Sequence, residues 1–386
     1  MNSLYLLIVV LFLTFAFVIV RFRKKFYRRH HFKSHFGKKN YKFLTFTEPV
    51  PFNLKYPIWE NQTLAWKQRM QFCGTNMKKS GVQKIIFLSG TFVGSDPFEL
   101  TRWIQTVAPI RGKMLAQVLE VSMKKGINSF VQDKGNFDPK YITLFSQSIG
   151  NSLGVKEFVW SSANHHFARI MGAIELLELL TPCEGKVLLI GHSHAGQLFA
   201  LLTQMLSSSA TLMNFIKILN EVKINSSELI HKIKKLKTLP IDFVTLGTPV
   251  RYQWAKNKSI RIMHVINHRG EEPIGGRFSG LATTRDGDYI QQLGIAGSDV
   301  ISPLKLHRQL NVKLNEFLGA GVDLSIFKQS IKNRRRLHDL GINYLINYQD
   351  GGKIPNYWKT FFGHAIYTRY QTMLFHTELI CSTFYE

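Results

Sequence analysis

Six short runs of mostly apolar residues recur along the chain: KIIFLSG (84–90), EFVWSSA (157–163), KVLLIG (186–191), IDFVTLG (241–247), IRIMHVI (260–266) and NYLINY (343–348). They are rich in Val, Ile and Leu, and three of them close on Gly. Between them the apolar spacing becomes helical, as in HHFARIMGAIELLELL (165–180) and from about residue 196. Strands without a polar face, alternating with helices, belong to a parallel sheet covered on both sides. The expected class is therefore α/β, with a mostly parallel sheet and helices on both faces, from about residue 45. Two longer pieces interrupt the alternation, 207–239 and 300–340. Both are amphipathic and basic, and both read as surface helices packed on the sheet, with a membrane-contacting or covering face as the sharper alternative.

A different pattern opens the chain. LYLLIVVLFLTFAFVIV (4–20) carries no charge, and RFRKKFYRRHHFKSHFGKKNYK follows at once, with no acidic residue before Glu48. With Met1 to Ser3 the apolar run reaches bilayer-spanning length. A cleavable signal peptide would begin basic and end at a small-residue site, and neither is visible. Residues 1–21 are therefore expected to form a transmembrane helix, 22–44 a basic juxtamembrane linker and 45–386 the globular domain with its two inserts. The positive-inside rule places that domain in the cytoplasm.

Charge reinforces the membrane reading. The 386 residues include 50 Lys and Arg against 25 Asp and Glu, a formal charge of +25. Such a surplus attracts an anionic partner. No RNP, KH or zinc-finger signature appears, so an anionic lipid surface is the expected partner and nucleic acid is not. Three widely spaced cysteines, Cys73, Cys183 and Cys381, suggest no disulfide framework.

The chemistry centres on KVLLIGHSHAGQLFALL (186–202). A nucleophilic serine needs a sharp strand-to-helix turn that crowds the residues two before and two after it, which gives the G-x-S-x-G elbow. Here the five positions are Gly191, His192, Ser193, His194 and Ala195, with Gly196 one later. Ala is the next smallest side chain, so the turn remains feasible, and Ser193 is the candidate nucleophile.

With this elbow in place, the chain resembles the α/β-hydrolase superfamily, particularly its lipase- and esterase-like serine hydrolases, over most of residues 84–370. IIFLSGTFVGSDPF looks like their early strand and oxyanion loop, with Ser89 where a His often stands. DFVTLGTPVRY looks like the strand after the nucleophile helix, and FFGHAIYTR like the late loop with the catalytic His. The resemblance implies an α/β-hydrolase fold and an acyl-serine mechanism with no cofactor. Backbone N–H groups of His194 and Thr91 would form the oxyanion hole. The implied order of nucleophile, acid and His leaves His364 and His376 as bases. His364 follows a Gly in a loop and is preferred, since His376 lies in a helical stretch. The acid should follow IRIMHVI. Asp288 is the first choice and Glu272 the second, with Asp286 and Asp299 as further carboxylates nearby. His192 and His194 are expected to support the elbow.

His165 and His166 stand together in SANHHF. Adjacent histidines chelate poorly from one helix face, and no H-E-x-x-H occurs, so no metal is expected and helix-start contacts explain them. The function expected is a membrane-anchored serine hydrolase acting on an acyl ester, most readily a lipid-like one. The alternatives are an acyltransferase or thioesterase with the same triad, and an inactive membrane-tethered binding module of this fold.

Overall fold

Neighbouring residues of each apolar run go to opposite faces of one sheet. Ile86, Leu88, Val187, Leu189 and Phe243 join the core on one side, while Ile85, Phe87, Leu188, Ile190 and Val244 join the core on the other. A strand buried on both faces has no room for polar alternation, which is why the runs read as continuous. The computed structural model describes the chain from 62 to 268 except at 92, 108–110, 132, 151–152 and 208, together with 50–53, 287–288, 290–291, 299–318, 337–349 and 363–386. The expected membrane span 1–21 and basic linker 22–44 lie outside the described residues. Among the described residues, no single helix is long and apolar enough to cross a membrane.

The strands are β1 (Val50–Asn53), β2 (Val82–Leu88), β3 (Gly154–Phe158), β4 (Lys186–His192), β5 (Ile241–Leu246), β6 (Ile260–Asn267) and β7 (Ile342–Gln349). They lie side by side in the order β1-β7-β6-β5-β4-β2-β3, and every neighbouring pair is parallel. The chain moves outward from β2 to β3, then returns across β2 to β4 and continues the other way. The C-terminal ends of β2 and β4 thus flank the point where the winding reverses, the usual place for a site in an open α/β sheet. Five strands fall on apolar runs, and β3 overlaps the start of the sixth. β1 has no such run: its sequence is VPFN, and its Pro51, lacking an N–H, suits an edge position.

The helices are α1 (Leu64–Lys79), α2 (Leu100–Val107), α3 (Arg111–Val131), α4 (Pro139–Ser148), α5 (His166–Leu180), α6 (Ala195–Ser207), α7 (Ser209–Asn220), α8 (Ser226–Leu236), α9 (Lys305–Leu318) and α10 (Met373–Phe384). Helices α5 to α9 share the core of one sheet face, and α1, α4 and α10 that of the other. The amphipathic piece 207–239 forms α7 and α8. Its stripe, including Phe215, Ile218, Leu219, Leu229, Ile233 and Leu236, is buried against α5 and α6 rather than presented outward.

The run at 157–163 departs from expectation. The strand spans Gly154–Phe158 and ends before Trp160. Beyond it the backbone is captured by the loop after β2: Ser95 N–H donates to Trp160 O at 3.0 Å and Asp96 N–H to Ser161 O at 3.1 Å. Ser162 then takes a left-handed φ of 58° and accepts the Gly94 N–H at 2.7 Å. These loop–loop bonds replace the ladder that continued strand would have needed.

Candidate active site

Ser193 stands where β4 gives way to α6, with a left-handed φ of 56°. For a residue with a Cβ this conformation costs about 1–3 kcal/mol and persists only where its surroundings hold it. They do so here: Ser193 N–H donates to Leu246 O at 2.9 Å, and its carbonyl accepts the Thr248 hydroxyl at 2.7 Å. The crowding expected of the elbow is present. A Cβ built on Gly191 would meet the Phe199 ring at 2.6 Å and Ala195 Cβ at 3.2 Å. Ala195 is accommodated because Gly191 opposite it has no side chain.

The base and acid arrive from later loops. His364 Nε2 lies 2.7 Å from Ser193 Oγ, and its Nδ1 lies 3.0 and 2.9 Å from the two carboxylate oxygens of Asp288. Asp288 is fully buried. Gln291 N–H donates to its Oδ1 at 2.8 Å and the Tyr367 hydroxyl to its Oδ2 at 2.9 Å. The carboxylate is therefore fixed from two further directions, and it fixes the ring so that Nε2 faces the serine. Burial, and then the negative charge of Asp288, push the Tyr367 hydroxyl well above its usual pKa, so it stays a donor.

The loop after β2 closes the other side. A Cβ on Gly90 would come within 2.5 Å of Ser193 Cβ and 3.1 Å of its Oγ, so only glycine lets the backbone pass this close. The loop is tied back through Ser89, whose hydroxyl donates to Asn136 Oδ1 at 2.9 Å and accepts Phe137 N–H at 3.0 Å. Next to Gly90 comes Thr91, and next to Ser193 comes His194. Neither backbone N–H bonds a backbone carbonyl among the described residues. The N-terminal end of α6 adds its partial positive charge to the same spot.

The histidines of the elbow are held neutral. His192 presents Nδ1 to Gly135 O at 3.1 Å and Nε2 to His364 O at 2.9 Å, which anchors the His364 backbone. Burial, and then the charge of His364, lower its pKa to about 3. His194 is lowered well below the usual value by burial, then by the positive charge of Arg169. Its Nδ1 lies 3.4 Å from Ser193 Oγ, while its Nε2 is buried without a hydrogen bond. His376 lies in α10, paired with the Tyr348 hydroxyl at 2.5 Å.

Of the four candidate acids, the structure brings Asp288 to His364. Asp299 is engaged elsewhere: its oxygens lie 2.9 Å from Arg169 and 2.5 Å from Arg251, two buried arginines. Glu272 and Asp286 lie outside the described residues. Tyr367 and Gln291, which brace the acid, have no signature in the sequence. Thr248, which braces the elbow, is a part of TLGTP whose role only the fold reveals. His165 caps α5, its Nδ1 accepting the Ala168 N–H at 3.2 Å, as expected of a helix-start residue. Compared with known proteins, the chain matches no family model, no curated protein and no solved structure.

Proposed function

We propose that this chain is a serine hydrolase of the α/β-hydrolase type, cleaving an ester or related acyl bond through an acyl-serine intermediate. The reading rests above all on the unbroken relay from Asp288 through His364 to Ser193. In it, His364 Nε2 takes the Ser193 proton as Oγ attacks the acyl carbonyl. The oxyanion that forms lies between the Thr91 and His194 N–H groups, each worth about 3–4 kcal/mol to the transition state. Asp288 stabilises the imidazolium, which then protonates the leaving alcohol. Water, activated by the same ring, releases the acid and restores the serine. No step requires a cofactor.

The substrate proposed is lipid-like, and the domain works beside an anionic membrane to which the N-terminal segment ties it. The apolar run 4–20 and its basic flank support this. So does the hairpin of α2 and α3, which exposes Leu100, Trp103, Met114, Val118 and Val121. That hairpin touches the oxyanion loop: Lys124 Nζ donates to Val93 O at 2.9 Å, two residues beyond Thr91.

The decisive experiment is labelling with a fluorophosphonate and identification of the modified peptide. Ser193 should carry the adduct, and Ser193→Ala should abolish both labelling and turnover of short p-nitrophenyl esters while keeping the fold. Labelling elsewhere, or full turnover in a folded Ser193→Ala protein, would overturn the assignment. Dispersed long-chain esters should be turned over faster with anionic vesicles present; indifference to lipid would remove the membrane part alone.

A further inference from the structure

Outside the triad, Glu99, His165 and His307 converge from three separate elements: the loop after β2, the residue that caps α5, and the first turn of α9. One donor atom from each lies within 4.8 Å of the others. Glu99 and His165 are buried and His307 is nearly so, its side chain 13% exposed. Two imidazoles and a carboxylate are borderline and hard donors of the kind that hold zinc, and three protein ligands leave a fourth position for water.

We propose that Glu99, His165 and His307 form a binding site for a divalent transition-metal ion, with zinc the best fit, which clasps the loop after β2, α5 and α9 together. The geometry at His165 favours it. His165 Nε2 lies 3.0 Å from Glu99 Oε2. His307 Nδ1 lies 2.6 Å from Glu99 Oε1, and the proton between them is the one a metal ion replaces. Tetrahedral zinc spaces its ligand atoms by about 3.3 Å, so each of the two histidine–carboxylate pairs opens by less than about 1 Å.

The surroundings hold the carboxylate for this task. Glu99 takes a left-handed φ of 55°, a strained conformation for a residue with a side chain. The Ser302 hydroxyl donates to its Oε2, an outer contact of the kind that orients a ligand. Arg102 stays at 3.8 Å and is shared with Glu175 at 3.9 Å. The ion takes one bond in exchange: with a metal on Nε2 the ring proton of His165 moves to Nδ1, and the 3.2 Å cap to Ala168 is given up.

The test is a metal titration of the full chain in detergent, stripped with chelator and dialysed. Cobalt(II) should bind one equivalent with visible bands of four-coordinate geometry and no thiolate charge-transfer band, and zinc should displace it. The dissociation constant for zinc should fall below about 1 µM, and binding should raise the melting temperature. His307→Ala, at the rim of the cluster, should weaken binding at least about tenfold. Glu99→Gln should do the same, and if that variant does not fold, the wild-type titration and His307→Ala decide. No saturable equivalent, a thiolate signature from Cys73, Cys183 or Cys381, or unchanged affinity in His307→Ala would overturn the site. None of these readouts depends on catalysis.

Discussion

Replacing Asp288 with Asn should leave the fold intact and nearly abolish the proposed hydrolysis, because of what each carboxylate oxygen accepts. The carboxylate accepts at both oxygens. Oδ1 receives the Gln291 N–H at 2.8 Å, and Oδ2 receives the Tyr367 hydroxyl at 2.9 Å. An amide nitrogen cannot occupy the Oδ1 place, because it would face the Gln291 N–H donor to donor. It must occupy the Oδ2 place, where the Tyr367 hydroxyl can turn to accept. That nitrogen then lies against His364 Nδ1, which is 2.9 Å from Oδ2. The ring must accept there, so its proton moves to Nε2 and faces Ser193 Oγ, which can no longer be deprotonated. Loss of the correct tautomer is worth about 10,000-fold in kcat, or about 5.5 kcal/mol of transition-state stabilisation. The assay is hydrolysis of a short p-nitrophenyl ester, with fluorophosphonate labelling of Ser193 as a second readout and circular dichroism to show folding. A folded Asp288→Asn protein within about tenfold of the parent in turnover and labelling would mean that Asp288 does not set the tautomer of His364.

Gly90→Ala should keep the fold yet lose most turnover, since its Cβ would press within 2.5 Å of Ser193 Cβ; activity close to the parent's would mean that the loop after β2 yields freely. Asp299→Ala should behave unlike a triad variant: stripping the partner from Arg169 and Arg251 destabilises by about 3–5 kcal/mol. Folded protein recovered at low temperature should still label at Ser193, and selective loss of labelling at unchanged stability would return Asp299 to the list of acids. The fold should also be acid-labile. His192 and His376 are lowered to about 3, and His194 and His264 well below the usual value, chiefly by burial. In the unfolded chain each gains a proton near pH 6.5 that the native state refuses. Stability is therefore full above that pH and falls as pH drops toward 3, by up to about 1.4 kcal/mol per pH unit for each group. Denaturant midpoints measured from pH 7 to pH 4 should decline steeply; a flat profile would mean that these rings are protonated in the native state.

The sheet was legible because strands buried on both faces leave a continuous apolar signature, and the elbow because steric crowding dictates small residues at fixed offsets from Ser193. Chain order narrowed the base to His364 and His376, and the loop position of His364 after a Gly decided between them. Asp288 led the several carboxylates after β6 only because Asp is the commoner acid; its contacts with His364, Gln291 and Tyr367 come from the fold. EFVWSSA read as a longer strand because the bonds that end it come from Ser95 and Asp96, some 60 residues earlier. The Glu99, His165 and His307 cluster was invisible for a similar reason: Glu99 and His307 stand 208 positions apart, and no local pattern marks them as neighbours. Adjacent His165 and His166 drew attention to each other, whereas the fold sends His166 to Tyr252, 2.5 Å away, and His165 to Glu99.

The edge pairing of β1 with β7 sets a schedule for the growing chain. Val50 is registered against Ile346, so the first strand waits about 300 residues for its partner. At a synthesis rate of about 5–20 residues per second that wait is about 15–60 s. β1 cannot dock on the ribosome before β7 has emerged, while β2 through β6 already can. A strand exposed for that long risks pairing with a stranger, and Pro51, which removes one donor from its four residues, weakens any such false ladder.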